Sequence, residues 1–369
     1  MTRRAALTLS IVRLPALALA LAAGLGLLCL AAVAGSPART PAAAAAPAET
    51  ARPDPAQPGT APADTAPAGT APAGARLSRQ AARPDRALVG AAFGYRQFRA
   101  NRNATKRIDA RGASWRLSNY GPRQNRYPFL IDGSIPGTQV AGGRIEGEVP
   151  LDLDWADIYV NSAAVMARDA PGIELHGWTI RQAWDGIRIA GASENFLITR
   201  AAVYQARDDA IENDHGNPGT ISNSLFDGVF SGLSMTRREM PDRSAGVVRL
   251  DRVLMRLQAY PFKGRLTHQA PFKIEAGSPA LEIRGSVLAV SDVHHIGQHR
   301  LALAWEKTRA ASGNHFLNLS DEPLPEGYPL PGAGWTVLQG AAARAHWAAA
   351  RAQWLARAPA GQRRAARLP

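Results

Sequence analysis

Three short segments decide the fold: Asp185-Gly186-Ile187, Asp209-Ala210-Ile211 and Ser231-Gly232-Leu233, which recur 22 to 24 residues apart. A repeat of this length is too short for a propeller blade, and the segments lack the leucine-rich consensus. It matches one turn of a parallel β-solenoid, in which each coil stacks on the previous one. From residue 131 to the C-terminal tail, β-branched runs alternate with Gly, Asp and Asn and show almost no helical periodicity. We therefore predict an all-β fold, a right-handed parallel β-helix.

Alternation along these strands predicts which side chains enter the coil, because successive residues of a strand point to opposite faces. Ile187, Ile211 and Leu233 are expected to point inward. Arg188 and Glu212 then point outward in neighbouring coils, about 4.8 Å apart. We expect these two side chains to form an ion pair. Looser repeats elsewhere, such as 151–160, predict further strands.

The 369 residues divide into four segments by composition. Residues 1–35 combine early arginines with an uncharged run at 14–34 that ends in small residues, which indicates an export signal. The same run is long enough to span a bilayer, so an uncleaved anchor is the alternative. Residues 36–85 are rich in Pro and Ala and predict a disordered linker. The β-helix is expected at 86–340, and an Ala- and Arg-rich helical cap on the last coil at 341–369.

Composition also limits the function. The single cysteine, Cys29, lies in the N-terminal apolar run, which excludes thiol catalysis, disulfides and Cys-ligated metals from the β-helix. The net charge of +13 favours a polyanionic partner, although an Arg-rich composition would produce the same charge without one. No phosphate loop or dinucleotide motif is present. We expect an acidic polysaccharide as the partner and no nucleic acid, with membrane contact only through the N-terminal segment, and a periplasmic or extracellular location.

One segment carries a resemblance to known proteins. The run Arg207-Asp208-Asp209-Ala210-Ile211-Glu212-Asn213-Asp214 and the following Ile221-Ser222-Asn223-Ser224 resemble the bacterial β-helix repeat proteins of the pectin-lyase-like superfamily, over about residues 130–339. Asp185 before a glycine, with Asp208-Asp209 one coil later, is similar to the three-aspartate constellation of polygalacturonases, which are inverting hydrolases of uronate chains. The chain departs from that family at Ser231-Gly232-Leu233, where the family has Gly-His-Gly. Its Arg-x-Lys pair is at best echoed by Lys263-Gly264-Arg265. The resemblance therefore implies the fold and the substrate class without polygalacturonase chemistry.

Carboxylates are concentrated in two consecutive coils, and the group comprises Asp185, Asp208, Asp209, Glu212 and Asp214. Packed carboxylates repel, so one pKa is expected to rise and supply a general acid of the glycosidase type. Alternatively, Asp208, Asp209 and Asp214 bind Ca²⁺ through their oxygens. A third interpretation is structural, because Asp at a solenoid turn often accepts hydrogen bonds from the backbone.

Basic residues form a second candidate set. Lys263 and Arg265 are candidate catalytic bases, because the polysaccharide lyases of this superfamily use a Lys or Arg to remove the proton α to a uronate carboxylate, often with Ca²⁺. A lysine base requires a lowered pKa, which neighbouring arginines would provide. The alternative is that these basic side chains are simply solvated, with Lys273 facing Glu275 or Glu282. The candidate substrate-binding residues are Arg188, Asp214, His215, Lys273 and Arg284.

Two function classes follow from these residues. The first is an enzyme, a glycosidase or lyase, that acts on an acidic polysaccharide in a groove of the solenoid. The second is a glycan-binding or envelope scaffold protein without activity. We favour the enzyme and expect the carboxylate face, rather than the histidines at 294, 295 and 299, to be the working surface. The equivalent positions around Leu233 are neutral, so folding alone does not require the excess charge.

Overall fold

The computed structural model describes residues 85–101, 106–119, 123–236 and 242–367. The predicted export signal or anchor at 1–35, and the predicted linker at 36–85 except for its last residue, lie outside the described residues. Within the described ranges, no helix is long and apolar enough to cross a membrane.

The chain winds through three parallel sheets, named A, B and C, and successive coils add one strand to each. Strands are numbered along the chain. Sheet A contains β1 (Arg86–Ala87), β4 (Arg107–Asp109), β7 (Gln139–Ala141), β10 (Glu174–His176), β13 (Phe196–Thr199), β16 (Gly219–Ser222), β19 (Val247–Asp251), β24 (Ala280–Arg284) and β26 (Thr308–Ser312). Sheet B contains β2 (Ala92–Gly94), β5 (Ser114–Leu117), β8 (Arg144–Gly147), β11 (Thr179–Arg181), β14 (Ala202–Tyr204), β17 (Leu225–Val229), β20 (Leu254–Leu257), β25 (Val287–Val290), β27 (Asn314–Asn318) and β28 (Trp335–Gln339).

Sheet C is shorter than the other two. It contains β3 (Phe98–Asn101), β6 (Phe129–Asp132), β9 (Ala163–Arg168), β12 (Asp185–Ala190), β15 (Asp209–Glu212), β18 (Ser231–Met235) and β23 (Phe272–Ile274). A separate antiparallel hairpin is made of β21 (Tyr260–Phe262) and β22 (Arg265–Thr267). The helices are α1 (Gln298–Glu306), α2 (Gly340–Arg357) and α3 (Ala360–Ala365).

The three repeated segments lie side by side in sheet C, as β12, β15 and β18. Ile187 pairs with Ile211 and Ile211 with Leu233, which is the register that the repeat predicts. All three side chains are fully buried. The stacked parallel sheets and the few helices confirm an all-β solenoid.

The core is the interior of the coils, filled by inward side chains from all three sheets. Near the N-terminal end this interior is aromatic: the Phe129 and Trp178 rings lie 4.6 Å apart, and Trp115 and Phe129 lie 5.6 Å apart. Each such buried side chain contributes about 1.5–3 kcal/mol relative to an exposed one. The interior therefore supplies the stability and leaves the outer faces of the sheets available for polar side chains.

Sheet C ends at β23 because a helix follows in place of its next strand. Helix α1 follows β25, where the next sheet C strand is due, and packs against β23 through buried Leu301 and Ala304. The sequence analysis did not predict this helix. Gly297 precedes it with a φ of 80°, a left-handed conformation that glycine adopts at low cost.

The predicted C-terminal helical segment is present as α2 and α3, and its contacts extend along sheet B beyond the last coil. Helix α2 contacts β25, β27 and β28, and α3 contacts β11, several coils back toward the N-terminus. The two helices cover outward apolar side chains of sheet B, which are Tyr204, Leu225, Leu254, Val287 and Leu317. The outer face of sheet B is apolar, so its burial under the two helices is favourable. We call α2 and α3 together the strap.

Candidate functional site

The outward side chains of sheet C form a row along the stacked coils. Strand pairing places them in register in the order Leu130, Met166, Arg188, Glu212, Ser234 and Lys273. Apolar residues occupy the start of the row, and charged residues occupy the coils of β12 to β23. The row therefore brings the predicted carboxylates to one face.

Arg188 is at the centre of the first charged group. Its Nη2 donates to Asp185 Oδ2 at 2.7 Å and forms the predicted ion pair with Glu212. Its Nη1 donates to the hydroxyl oxygen of Tyr127 at 3.0 Å. The side chains of Arg188 and Asp185 are only 9% and 2% exposed, so this ion pair lies under the surface.

Lys273 is the cation of the second charged group. Its Nζ lies 3.1 Å from Asp208 Oδ1 and 2.8 Å from Asp209 Oδ2. The alternative in which Lys273 faces Glu275 or Glu282 is therefore wrong. Parallel pairing puts Lys273 beside Ser234, from where its long side chain reaches the two aspartates.

Burial and crowding raise the pKa values of three carboxyl groups. Burial is the main cause for Asp209, and the charges of Asp208 and Asp185 add to it, so the pKa of Asp209 lies well above its usual range. Burial also raises the pKa of Asp185. Burial and the neighbouring Asp185 raise the pKa of Glu212, whose carboxyl group donates a hydrogen bond to Asp185. With a pKa of about 11, Glu212 keeps its proton at neutral pH, as expected for packed carboxylates.

The two cations of the group are not proton acceptors. Burial alone would lower the pKa of Lys273, but Asp208 and Asp209 outweigh it and the pKa is raised. The pKa of Arg188 is raised in the same way by Asp185, against the effect of burial. The lowered lysine pKa that elimination requires is therefore not found at Lys273.

The same aspartates were candidate Ca²⁺ ligands. Asp185, Asp208 and Asp209 each offer an oxygen, and these oxygens lie within 4.8 Å of one another. Ca²⁺ takes about 6–8 oxygen ligands, but Lys273 already binds oxygens of Asp208 and Asp209. Asp214, the remaining predicted ligand, accepts instead from Ser234 Oγ at 2.7 Å. The donor set fits an ammonium group better than Ca²⁺.

Asp214 and His215 lie in the turn that follows β15. Besides the Ser234 hydroxyl, Asp214 accepts from the backbone N–H of Thr236 at 3.2 Å. His215 is half-buried beside it. Asp214 thus acts as a turn carboxylate that ties two coils together, as the structural interpretation expected.

The structure does not bring Lys263, Arg265 and Arg284 to the carboxylates. Lys263 is exposed at the hairpin tip, with its Nζ 5.4 Å from the centroid of the Phe262 ring. Arg265 donates to the carbonyl oxygen of His294 at 2.8 Å. Arg284 lies at the end of β24 in sheet A, on another face. The hairpin that carries Lys263 is an insertion in its coil. A position one coil later therefore cannot be found by counting residues from Lys263.

The segment 151–160, predicted as a strand, is a loop instead. The Asp154 side chain accepts from the backbone N–H of Ala156 at 3.1 Å and from that of Gly264, on the hairpin, at 3.0 Å. Trp155 N–H donates to the Pro261 carbonyl at 3.1 Å. The loop 150–162 and the hairpin therefore meet, and together we call them the arch.

Arg207 holds the arch from below. This fully buried side chain donates to the Leu153 carbonyl at 3.1 Å and to the Pro261 carbonyl, one from each half of the arch. Its guanidinium also lies over the Tyr260 ring, 5.1 Å from the centroid. Arg207, Trp155 and Tyr159 were not predicted as site residues. Arg207 was quoted only as the first residue of a motif.

Comparison of the chain with protein family models, curated proteins and solved structures found no match. The function is therefore argued from the geometry of sheet C and the arch.

Proposed function

We propose that this chain is an exported, right-handed parallel β-helix of the pectin-lyase-like kind that binds an acidic polysaccharide along the outer face of sheet C. Connections between parallel strands of one sheet are right-handed in about 98% of cases, which supports the handedness. The net charge of +13 favours a polyanion. The N-terminal segment would direct export or anchor the chain at the inner membrane.

The proposed reaction is hydrolysis of a glycosidic bond. The observation that carries it is the contact of Arg188 with both Asp185 and Glu212, which brings the two carboxyl groups together. Burial and Asp185 raise the pKa of Glu212 to about 11. At 16% exposure, the Glu212 side chain is more accessible than those of Asp185 and Asp209, at 2% and 4%. Glu212 would donate its proton to the leaving oxygen as the glycosidic bond breaks. Asp208, with a side chain 13% exposed, would accept a proton from the water molecule that attacks the anomeric carbon.

Elimination is less well supported by the same contacts. A lyase needs an unprotonated Lys or Arg near the α-carbon of the uronate. Lys273 and Arg188 are each held between two carboxylates, which keep them charged. Lys263 and Arg265 lie on the hairpin and contact none of the five carboxylates in the described part of the chain.

Assays on pectate, alginate, glycosaminoglycans and bacterial exopolysaccharides test the reaction. Hydrolysis releases reducing ends, and we expect Glu212→Gln and Asp208→Asn to abolish them without lowering the melting temperature. Absorbance from unsaturated uronates would contradict hydrolysis and favour a lyase. Any hydrolysis product that survives both substitutions would overturn the assignment of this site.

A non-catalytic glycan-binding or scaffold protein is the second candidate. The observation that favours it is the depth of the network, because Asp185 and Asp209 are nearly inaccessible and Arg188 and Lys273 each contact two carboxyl groups. A structural network that holds coils together would have the same contacts. Glycan binding without product, together with a lower melting temperature in Asp209→Asn, would establish this alternative.

A further inference from the structure

The arch is an addition to the solenoid that folding of the coils does not require. The three coils beneath it cross from sheet B to sheet C through short corners, residues 182–184, 205–208 and 230. The flanking coils make the same crossing through the loop 150–162 and through a segment that contains the β21–β22 hairpin. The two insertions, one on each side of the three short corners, therefore meet above those corners.

Each corner supplies one side chain that contacts the arch. Trp184 lies 5.2 Å from Trp155, and Phe230 lies 5.5 Å from Phe262, as ring centroids. Arg207, between them, binds carbonyls of both halves. The residues that follow Trp184 and Arg207 along the chain are Asp185 and Asp208. The arch is thus fixed to the corners that carry the carboxylates.

Tyr159 is the exposed aromatic residue of the arch. Its side chain is 52% exposed, although its ring lies 4.7 Å from Trp155 and 5.4 Å from Trp184. Its contact with Trp184, the residue that precedes Asp185, places the phenol on the side of the arch that faces the carboxylate group. The Tyr159 ring packs against the two tryptophans on one side and is open to solvent on the other, next to polar groups. It therefore offers a flat apolar surface.

We propose that Tyr159 is the surface on which a pyranose ring of the bound polysaccharide stacks, beside Glu212 and Asp208. The inference rests on the proposed function and adds the residue that positions the sugar. The C–H face of a pyranose is apolar, and contact with an aromatic ring removes both from water. The aromatic residues Trp155 and Trp184 fix the ring before binding, so little conformational entropy is lost on association.

Binding of sugar hexamers to three variants tests the proposal. The probes are hexamers of galacturonate, hexamers from alginate and uncharged cellohexaose, measured by calorimetry and by the fluorescence of the tryptophans behind Tyr159. Tyr159→Ala should weaken binding about tenfold, the loss expected for one aromatic contact. Tyr159→Phe keeps the ring and should bind within about twofold of the wild type. Leu330→Ala removes an exposed apolar side chain outside the arch and is the matched control.

The outcomes separate the two proposals. If a hexamer binds the wild type and Tyr159→Ala binds it equally well, the stacking role is overturned and the proposed function survives. If no hexamer binds the wild type, the proposed function fails and the stacking role fails with it. Weaker binding by both Tyr159→Ala and Tyr159→Phe would assign the contact to the hydroxyl group and overturn stacking.

Discussion

At the residue scale, Lys273 is the side chain on which the second carboxylate group depends. Its ammonium is the cation bound between Asp208 and Asp209, and all three side chains are largely buried. We predict that Lys273→Met lowers the free energy of unfolding by about 3 kcal/mol at neutral pH, because two buried carboxyl groups lose their counter-ion. Urea unfolding at neutral pH measures the effect.

Lys263→Met is the matched control for this substitution. Lys263 is exposed at the hairpin tip, so its removal should change the free energy of unfolding by less than about 0.5 kcal/mol. Equal losses in the two variants would contradict the role assigned to Lys273.

Glu212 should make stability depend on pH. Because burial and Asp185 raise its pKa in the folded protein, its proton stays bound at pH values where the unfolded chain has released it. That contribution is complete below the unfolded pKa of about 4.3 and is lost as the pH rises toward the folded value. Glu212→Gln keeps the shape of the protonated form and does not titrate. Its stability relative to the wild type should therefore rise between about pH 5 and pH 8, by up to about 4 kcal/mol at about 1.4 kcal/mol per pH unit.

Glu148 is a useful contrast because its pKa shifts in the opposite direction. A hydrogen bond from Tyr95 and the contact with Arg116 lower the pKa of Glu148. Glu148→Gln removes a group that is ionised in both states above about pH 5, so its stability difference from the wild type should stay constant over that window. A Glu212→Gln difference that is equally constant would refute the raised pKa.

The sequence predicts part of this site and misses the rest for a physical reason. The Arg188–Glu212 pair follows from strand alternation and the repeat, which are local properties. The partners of Lys273 do not, because the hairpin before β23 adds residues to that coil and breaks the count. The residue types predicted a charged face. Which charged side chains contact one another depends on the register of strands that are distant in sequence.

At the scale of elements, the arch depends on one arginine. Arg207 donates to carbonyls of both halves, so its loss leaves two buried acceptors unpaired. We predict that Arg207→Met lowers the free energy of unfolding by about 2–3 kcal/mol and makes the loop 150–162 sensitive to proteases. Limited proteolysis with mass spectrometry locates the cuts. Arg144→Met, at a half-exposed arginine, should leave both properties unchanged; cuts outside the arch in Arg207→Met would contradict its role.

The loop half of the arch has the alternation of a strand without forming one. Leu151, Leu153 and Trp155 are separated by aspartate, a pattern typical of a half-buried strand. Asp154 instead bonds to the backbone two residues later, the local turn that aspartate favours. The sequence shows only that apolar residues recur with a period of two. It does not show that these side chains pack on a hairpin more than a hundred residues away.

At the scale of the whole molecule, the C-terminal strap joins coils that a solenoid leaves independent. Trp354 donates to the Asn223 carbonyl at 2.9 Å, and Arg351 pairs with Asp227 at 2.6 Å. Farther along the chain, Gln362 donates to the Arg200 carbonyl at 2.7 Å. The Ala- and Arg-rich composition predicted a helical segment, but the surface that receives it is set by the apolar outer side of sheet B. These contacts link the last coils to coils near the middle of the chain.

Such links should make unfolding cooperative over many coils. In a solenoid each coil contacts only its neighbours, so distant coils can unfold separately. Trp347 is buried where α2 meets sheet B, and we predict that Trp347→Ala lowers stability by about 3 kcal/mol. We expect the urea transitions seen by tryptophan fluorescence and by far-ultraviolet circular dichroism to coincide in the wild type and to separate in Trp347→Ala. Arg344→Ala, exposed on the same helix, should keep them together. Coincident transitions in Trp347→Ala would mean that the coils cooperate without the strap.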